Sequence, residues 1–388
     1  MYDCIIVHYS EIGIKGKNRV MFENRLKRNL SMALGNRARV YKRYGRLVCD
    51  LLTKEEKEIE EIISLLKITP GVANFGLAKK ARLEFENIRQ VVFSLLKNRK
   101  FDSFKVLTKR SYKEFPMTSL EINKALGEEI AAKFGKRIDL KNPELTIHVE
   151  ICEKESFVYL DKFKGVGGLP VGCSGKVVCL LSGGIDSPTA AFLMVKRGCP
   201  VVLIHFFNKT INTRQALKKV EDIAKVLAKA QIKSKLYLIP FYKLQTEIIK
   251  VVPAKYRMVI YRRLMMEIAN RIARKEEAKA IVTGDSIGQV ASQTLENLQC
   301  IYAVAEYPVF APLIGMNKEE IVELAKTIGT YEISIRPYQD CCSFMIAEHP
   351  ATKMSLNLAE EIERNIKDKS TLIDDAIKES KILILKWT

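Results

Sequence analysis

The sequence predicts an α/β chain: small, basic α+β units at the amino end and a doubly wound parallel sheet at the carboxyl end. Three observations carry that reading. Strand-like and helix-like patterns alternate through most of the 388 residues, the order that gives sheets covered by helices. A glycine-rich stretch short of charge, Lys164 to Gly175 (KGVGGLPVGCSG), divides the chain in two. Just after it, Val177 to Leu181 has the length and β-branched content of a fully buried strand, and Thr189 to Lys196 reads as the helix packed on it.

In chain order, Cys4 to His8 reads as a strand and Asn18 to Leu34 as a helix. Ala38 to Lys42 and Arg46 to Leu51 form a hairpin across Tyr44 and Gly45. Between residues 1 and 50, eleven Lys and Arg stand against four acids. That bias fits either a face for phosphates, with Lys15, Lys17 and Arg19 at its centre, or a merely solvated face. Thr53 followed by Glu56 has the spacing of a capping box for a helix through Lys67, which Thr69-Pro70-Gly71 stops. A second cycle follows, with Val72 to Ala78 as a strand, Phe85 to Leu96 as a helix and Phe104 to Thr108 as a strand. Ser119 to Phe134 is then a helix whose Ile122, Ala125, Leu126 and Ile130 share a face, and Leu145 to Cys152 pairs with Phe157 to Leu160.

Beyond the glycine-rich stretch, strands near Val177, Val201, Lys235 and Ala280 alternate with helices. Right-handed crossovers bring their carboxyl ends to one edge, where ligands bind, and His205 and Phe206 end the second strand there. Ser182, Gly183, Gly184, Asp186 and Ser187 fall in the first strand-to-helix turn. Such a turn offers backbone N–H groups and the positive end of a helix dipole, and glycines let an anion approach without a Cβ in the way. This is a phosphate cradle, and it lacks the lysine of the GxxxxGK[ST] loop that serves terminal phosphoryl transfer.

SGGxDS resembles the PP-loop of the ATP pyrophosphatases, which implies that it grips the pyrophosphate end of ATP and that Asp186 helps to hold Mg2+. Lys109 to Ile151 resembles the THUMP domain, an RNA-binding module. The marks are Lys109-Arg110 before Phe115-Pro116, then Ser119, Asp139-Leu140 and Asn142-Pro143. The whole chain is similar to the ThiI family of tRNA 4-thiouridine synthetases. The match is carried by GVGGLPVG (165–172), LLSGGIDSP (180–188), TGDSIGQVASQT (283–294) and RPYQDCCSFMIAEHPATK (336–353).

The resemblance implies a ferredoxin-like unit over 1–55, a THUMP domain over 56–164, a linker over 165–175 and a PP-loop catalytic domain over 176–388. It implies ATP contacts at Leu180, Leu181, His205, Phe206, Arg262, Gly284 and Gln293, with Arg263 beside Arg262 as the alternative. It places the catalytic thiol at Cys342, adjacent to Cys341. The activity implied is adenylation of O4 of a tRNA uridine, at position 8, followed by displacement of AMP by sulfur. Asp285 is left open between holding Mg2+ and capping a helix.

Implied partners are tRNA, a cysteine desulfurase as persulfide donor and, where thiamine synthesis is served, a ThiS-like sulfur carrier; a homodimer is compatible. Longer members carry a rhodanese domain, for which the residues after Lys353 are too few: Asn357 to Lys369 reads as one helix, and the tail to Trp387 as merely finishing the catalytic domain. The sulfur is then carried on Cys342, on a second cysteine such as Cys173, or on a separate protein. Two alternatives stay open: a PP-loop enzyme that attaches nitrogen, needing no cysteine, and a nucleotide-gated RNA-binding protein, forming no AMP.

Composition bounds these readings. Lys and Arg number 64 against 45 Asp and Glu, a formal charge of +19, which fits a polyanionic partner or the lysine-rich surface of a heat-adapted protein. Nine cysteines without CxxC spacing argue against a disulfide framework and a four-thiolate zinc site, and for a reducing cytoplasm. Cys4, Cys49, Cys152 and Cys179 lie in apolar strand patterns and read as packing residues. No apolar run reaches membrane-spanning length, and the start, MYDCIIVHYSEIGIKGK, has no signal-peptide pattern.

Overall fold

Cys4–His8 (β1) is an unbroken apolar run whose first four residues are buried, as a strand paired on both sides must be. The computed structural model describes residues 2–43, 45–208, 213–337 and 346–386, and the chain divides into two units, 1–169 and 170–388.

In the first unit, Arg19–Leu34 (α1) leads to the hairpin Ala38–Arg43 (β2) and Arg46–Leu51 (β3), whose turn residue Tyr44 lies outside the described residues. Glu56–Ile68 (α2), Asn74–Ala81 (β4), Phe85–Leu96 (α3), Ser103–Arg110 (β5), Ser119–Phe134 (α4), Arg137–Ile138 (β6), Leu145–Ile151 (β7) and Ser156–Lys164 (β8) follow. The strands form one sheet in the order β2-β3-β1-β4-β8-β7-β5-β6, so the ferredoxin-like and THUMP stretches share a continuous sheet through the antiparallel β1–β4 and β4–β8 pairs.

Ile88, Val92 and Leu96 of α3 and Ile122, Leu126 and Ile130 of α4 are buried in one core with β5 and β7, each such side chain contributing about 1.5–3 kcal/mol. Thr118 and Glu121 form a capping box at the start of α4, and Gly135 ends it in the left-handed region. The capping box expected at Thr53 is not formed: Thr53 Oγ1 accepts from the N–H of Glu55, 3.2 Å away, and α2 starts without a side-chain cap. The hydroxyl sits two residues ahead of Glu55, the residue at the capping position, and so cannot reach the third amide of the helix.

The second unit runs Val177–Leu180 (β9), Asp186–Lys196 (α5), Val201–Phe207 (β10), Thr213–Gln231 (α6), Lys233–Pro240 (β11), Tyr242–Val251 (α7), Arg257–Lys275 (α8), Ile281–Val282 (β12), Leu295–Tyr302 (α9), Val309–Phe310 (β13), Lys318–Ile328 (α10) and Tyr331–Ser334 (α11). Leu356–Arg364 (α12), Lys369–Lys378 (α13) and Lys381–Lys386 (β14) complete it. Its sheet has the order β13-β12-β9-β10-β11-β14, parallel throughout except for β14. The winding reverses between β9 and β12, which makes their carboxyl ends the switch point where such sheets bind ligands. Tyr261, Leu264, Met265 and Ile268 of α8 belong to the core that covers β10 and β11.

Two expectations change here. The single helix expected over Asn357 to Lys369 is two, because Asp368 takes a positive φ of 51° and turns the chain. The tail expected merely to finish the domain instead adds β14 antiparallel to β11, the apolar KILILK run completing a sheet edge.

The glycine-rich stretch is not loose. Gly165 and Gly167 donate to Ala73 and Val72 of the first unit, while Gly172 and Ser174 donate to Gly198 of the second.

Candidate active site

Leu181, the last apolar residue before the turn, donates its N–H to Ile204 of β10 at 2.7 Å, which fixes where the chain leaves the sheet. The turn then folds on its own hydroxyls. Ser182 N–H donates to Ser187 Oγ at 2.8 Å, the two serine hydroxyls lie 3.0 Å apart, and Gly184 N–H donates to Ser182 Oγ at 3.2 Å. α5 begins at Asp186 without a side-chain cap. Its first amides therefore face the turn as a preformed anion site.

Around this turn lies a cavity of about 270 Å³, with Leu180, Leu181, Ser182, Asp186, Ser187, His205, Phe206, Arg262, Gly284 and Gln293 on its wall. The structure thus brings together the expected nucleotide contacts, with Gly183 and Gly184 inside the turn itself. His205 is buried and its Nδ1 lies 2.8 Å from the carbonyl of Leu181, bracing the turn from β10. Gly284 is required by contact: a Cβ there would sit 2.7 Å from the backbone nitrogen of Ser187.

Arg262 and Arg263 diverge. Arg263 is buried against Glu363 and the Cys300 carbonyl, whereas Arg262 reaches the cavity wall and bonds both carboxylate oxygens of Asp285 at 2.7 Å. Asp285 also accepts from the Tyr302 hydroxyl at 2.6 Å and from Gln293 Nε2 at 3.1 Å. Burial works to raise its pKa, but the Arg262 charge and the surrounding hydrogen bonds hold it below the ordinary carboxylate value; Tyr302 is pushed up by burial and by that carboxylate. Of the roles left open for Asp285, capping a helix does not describe its contacts. It is the anchor of Arg262, and α9 is capped by Thr294. Gln293 Oε1, by contrast, is buried with no hydrogen-bond partner. With Nε2 spent on Asp285, an acceptor is left at the cavity wall, and such a group needs a donor from a ligand or water.

Asp186 accepts from Lys318 Nζ at 2.7 Å and from Gln289 Nε2 at 2.8 Å. Among the described residues no cluster of three or more His, Cys, Asp or Glu is placed to cage a metal. One carboxylate beside an anion cradle fits Mg2+ held chiefly by phosphate oxygens rather than a resident ion.

Sequence reading missed Lys318, Gln289 and Tyr302. Lys318 had a signal: a lysine in the first turn of α10 sits where the helix dipole repels a cation and so calls for a nearby anion.

Cys341 and Cys342 lie outside the described residues. Burial raises the thiols of Cys4, Cys152, Cys199 and Cys300, and pushes Cys49 and Cys179 to about 12, as inert packing residues require. Cys173 is half-buried.

In the first unit, Lys15 (over the Phe22 ring, 5.4 Å), exposed Lys17 and Arg19 gather at the start of α1, and Arg19 is tied to Glu23 at 2.7 Å and to the Tyr9 hydroxyl at 2.9 Å. Lys109 is exposed at the end of β5. Arg110 beside it donates to the carbonyls of Phe115 and Met117, both at 2.7 Å, and so shapes that loop.

Comparison with known proteins gives one consistent picture. Residues 172–367 match the family model described as thiamine biosynthesis protein (ThiI), 83–161 the THUMP domain, and 4–76 the ThiI ferredoxin-like domain. A probable tRNA sulfurtransferase of Thermoanaerobacter pseudethanolicus is 41% identical over 97% of this chain and 98% of its own length. One of Bacillus velezensis is 40% identical over 97% and 94%. A crystal structure of a 4-thiouridine synthetase in complex with RNA and ATP superposes with a TM-score of 0.90 at 38% identity, covering all of both chains.

Proposed function

This chain belongs to the ThiI family of tRNA sulfurtransferases, and on that premise we propose that its cavity holds ATP, with the pyrophosphate end against the Ser182–Ser187 turn and the first turn of α5. The activity is ATP-dependent thiolation of tRNA, and the nitrogen-attaching and gated-binding alternatives are set aside with it. What supports the finer reading above all is the Arg262–Asp285 pair: a guanidinium held in two bonds by a buried carboxylate, on the wall of a cavity that also contains an uncapped helix start.

The residues divide the work. The O4 of the uridine, at position 8, attacks the α-phosphorus; a P–O bond forms there and the bond to pyrophosphate breaks. Arg262, Lys318 and the amides of α5 neutralise charge on the departing pyrophosphate, in a geometry fixed before the reaction begins. Asp186 supplies a protein carboxylate for Mg2+, which when bound would screen the phosphate oxygens. Gln293 Oε1 accepts a hydrogen bond from the nucleotide. Sulfur then attacks C4, and the C4–O bond breaks as AMP leaves. Cys342 carries or resolves that sulfur, supplied as a persulfide by a cysteine desulfurase in the cytoplasm; the S–S bond breaks as a second thiol attacks it, and the disulfide left behind is reduced by an external thiol before the next turnover.

The test is purified protein with tRNA, Mg-ATP and sulfide. AMP together with 4-thiouridine is expected, and AMP without thiolated uridine, or no AMP, overturns the reading. In the same assay with a desulfurase-delivered persulfide, Cys342→Ser should keep tRNA binding and AMP formation but lose thiolation, since a hydroxyl cannot carry or release sulfur.

A further inference from the structure

A second concavity, of about 680 Å³, lies in the carboxy-terminal unit, and its wall includes Arg214, Lys218, Lys219, Glu221, Arg336 and Lys381. Topology puts it on the same edge of the sheet as the ATP cavity. α6, which carries the first four of these residues, follows the carboxyl end of β10, the strand whose His205 and Phe206 wall the first cavity. Lys381 opens β14 opposite Leu238, close to the carboxyl end of β11. Arg336 is drawn in by Lys219, whose buried Nζ donates to the carbonyls of Ser334 at 2.8 Å and Arg336 at 2.7 Å.

The acids nearby, Glu221 on the wall and Asp222 beside it, are outnumbered by Arg214, Lys218, Lys219, Arg336 and Lys381. Asp222 is shared among Lys218 at 3.1 Å, Lys225 at 3.5 Å and Arg336 at 3.6 Å, and among the described residues Arg214 and Lys381 pair with no acid. Arg214 and Lys218 stand one helical turn apart, about 6 Å along the axis, so they present a short row of positive charge.

A reacting uridine arrives attached to neighbours on both sides. Wherever its base enters the first cavity, its strand continues along that edge with a phosphate at every step. We propose that this groove is the track on the catalytic unit for the phosphates of the tRNA strand flanking the target uridine. The inference rests on the tRNA reading above. An RNA strand fits better than an acidic protein because among the described residues Leu217 and Pro337 are the only apolar ones on the wall, whereas the buried centre of a protein interface is apolar and poor in lysine. Lys219 is structural, and the recognition falls to Arg214, Lys218 and Lys381.

The experiment compares the full chain with the triple variant Arg214→Gln, Lys218→Gln, Lys381→Gln. Binding of unmodified tRNA is titrated against salt, and kcat/KM for tRNA is measured with free sulfide. The expected result is a log–log salt slope shallower by about 2 to 3, because each lost phosphate contact removes a little under one counterion. With it come a kcat/KM for tRNA at least tenfold lower and an unchanged ATP-induced thermal shift, the last showing that the unit is folded. An unchanged slope and kcat/KM overturn the proposal. So does a variant that matches the parent with free sulfide and fails only with a persulfide donor protein, which assigns the groove to that protein. If the parent chain binds tRNA without forming thiolated uridine, the functional reading fails, and the slope comparison still decides the groove.

Discussion

Two buried carboxylates in the two units are satisfied by nearly the same partners and serve different ends. Glu150 on β7 is 1% exposed; it pairs with Arg46, accepts from the Tyr159 hydroxyl at 2.8 Å and has His8 Nε2 2.8 Å away. Asp285, 3% exposed, has Arg262, the Tyr302 hydroxyl and an amide. The difference lies on the far side of the arginine. Arg46 is itself buried within the sheet, joining β3 to β7 across the strands between them, whereas Arg262 borders a cavity. A carboxylate–arginine–tyrosine cluster is therefore not a functional signature by itself; what the guanidinium can still reach decides whether it fastens a fold or meets a substrate.

The largest effects that test this contrast come from removing each carboxylate's charge. Asp285→Asn should lower tRNA-dependent AMP formation by about 10²–10³-fold, the usual loss when a preorganised charge is released, with tRNA affinity intact. Glu150→Gln should leave AMP formation near normal in the folded chain but cost about 3–5 kcal/mol of stability, because it strands a buried arginine. A Glu150→Gln chain as stable as the parent would erase the distinction. Next in size, Tyr302→Phe should reduce kcat/KM for ATP several-fold and Tyr159→Phe should reduce only the melting temperature, each loss corresponding to about 1 kcal/mol for one hydrogen bond. Equal activity losses in the two would show the clusters to be alike.

The remaining effect is one of pH. Tyr159 stacks on His148 at 4.6 Å, and burial with the charges of Lys162 and Lys109 pushes His148 down from 6.5 to about 4. Burial alone would raise Glu150, but His8, Arg46 and Tyr159 hold it down at about 2. Both groups have lower pKa values folded than unfolded, so the unfolded chain binds more protons and stability falls on acidification. The His148 contribution is lost between pH 6.5 and about 4, and that of Glu150 between about 4.5 and 2. Calorimetry across pH should show the amino-terminal unit weakening first, and His148→Phe, which keeps the stacked ring, should flatten the earlier stage. Parallel decline of both units throughout would remove this difference.

How much of this could be read from residues alone follows the same division. Local pattern located every strand of the first four in the second sheet and the turn at Ser182–Ser187, because apolar runs and glycines act within a few residues. It gave no account of β14, whose pairing with β11 joins residues about 150 positions apart in sequence and is settled by the open sheet edge rather than by KILILK itself. At the site, contacts made through backbone or loop shape were legible in LLSGGIDSP and TGDSIGQVASQT. The partners were not. Lys318 meets Asp186 across 132 residues, Tyr302 meets Asp285 from another helix, and the choice between Arg262 and Arg263 depends on a helix phase of 100°, which adjacent positions leave open until α8 is packed.

The absent side chain at Gly284 bears on how the two walls of the cavity are spaced. Its backbone lies so close to Ser187 that a methyl group would stand 2.7 Å from that nitrogen. The loop that leads into Asp285, and through it to Arg262, therefore rests directly on the helix whose first turn opens the cavity's anion cradle. The gap between cation and cradle is gauged by two main chains in contact, with no flexible side chain to take up slack. Since a misplacement of about 1 Å can cost about a hundredfold in rate, the narrowest tolerance in this catalytic unit belongs to a position that offers no chemistry of its own.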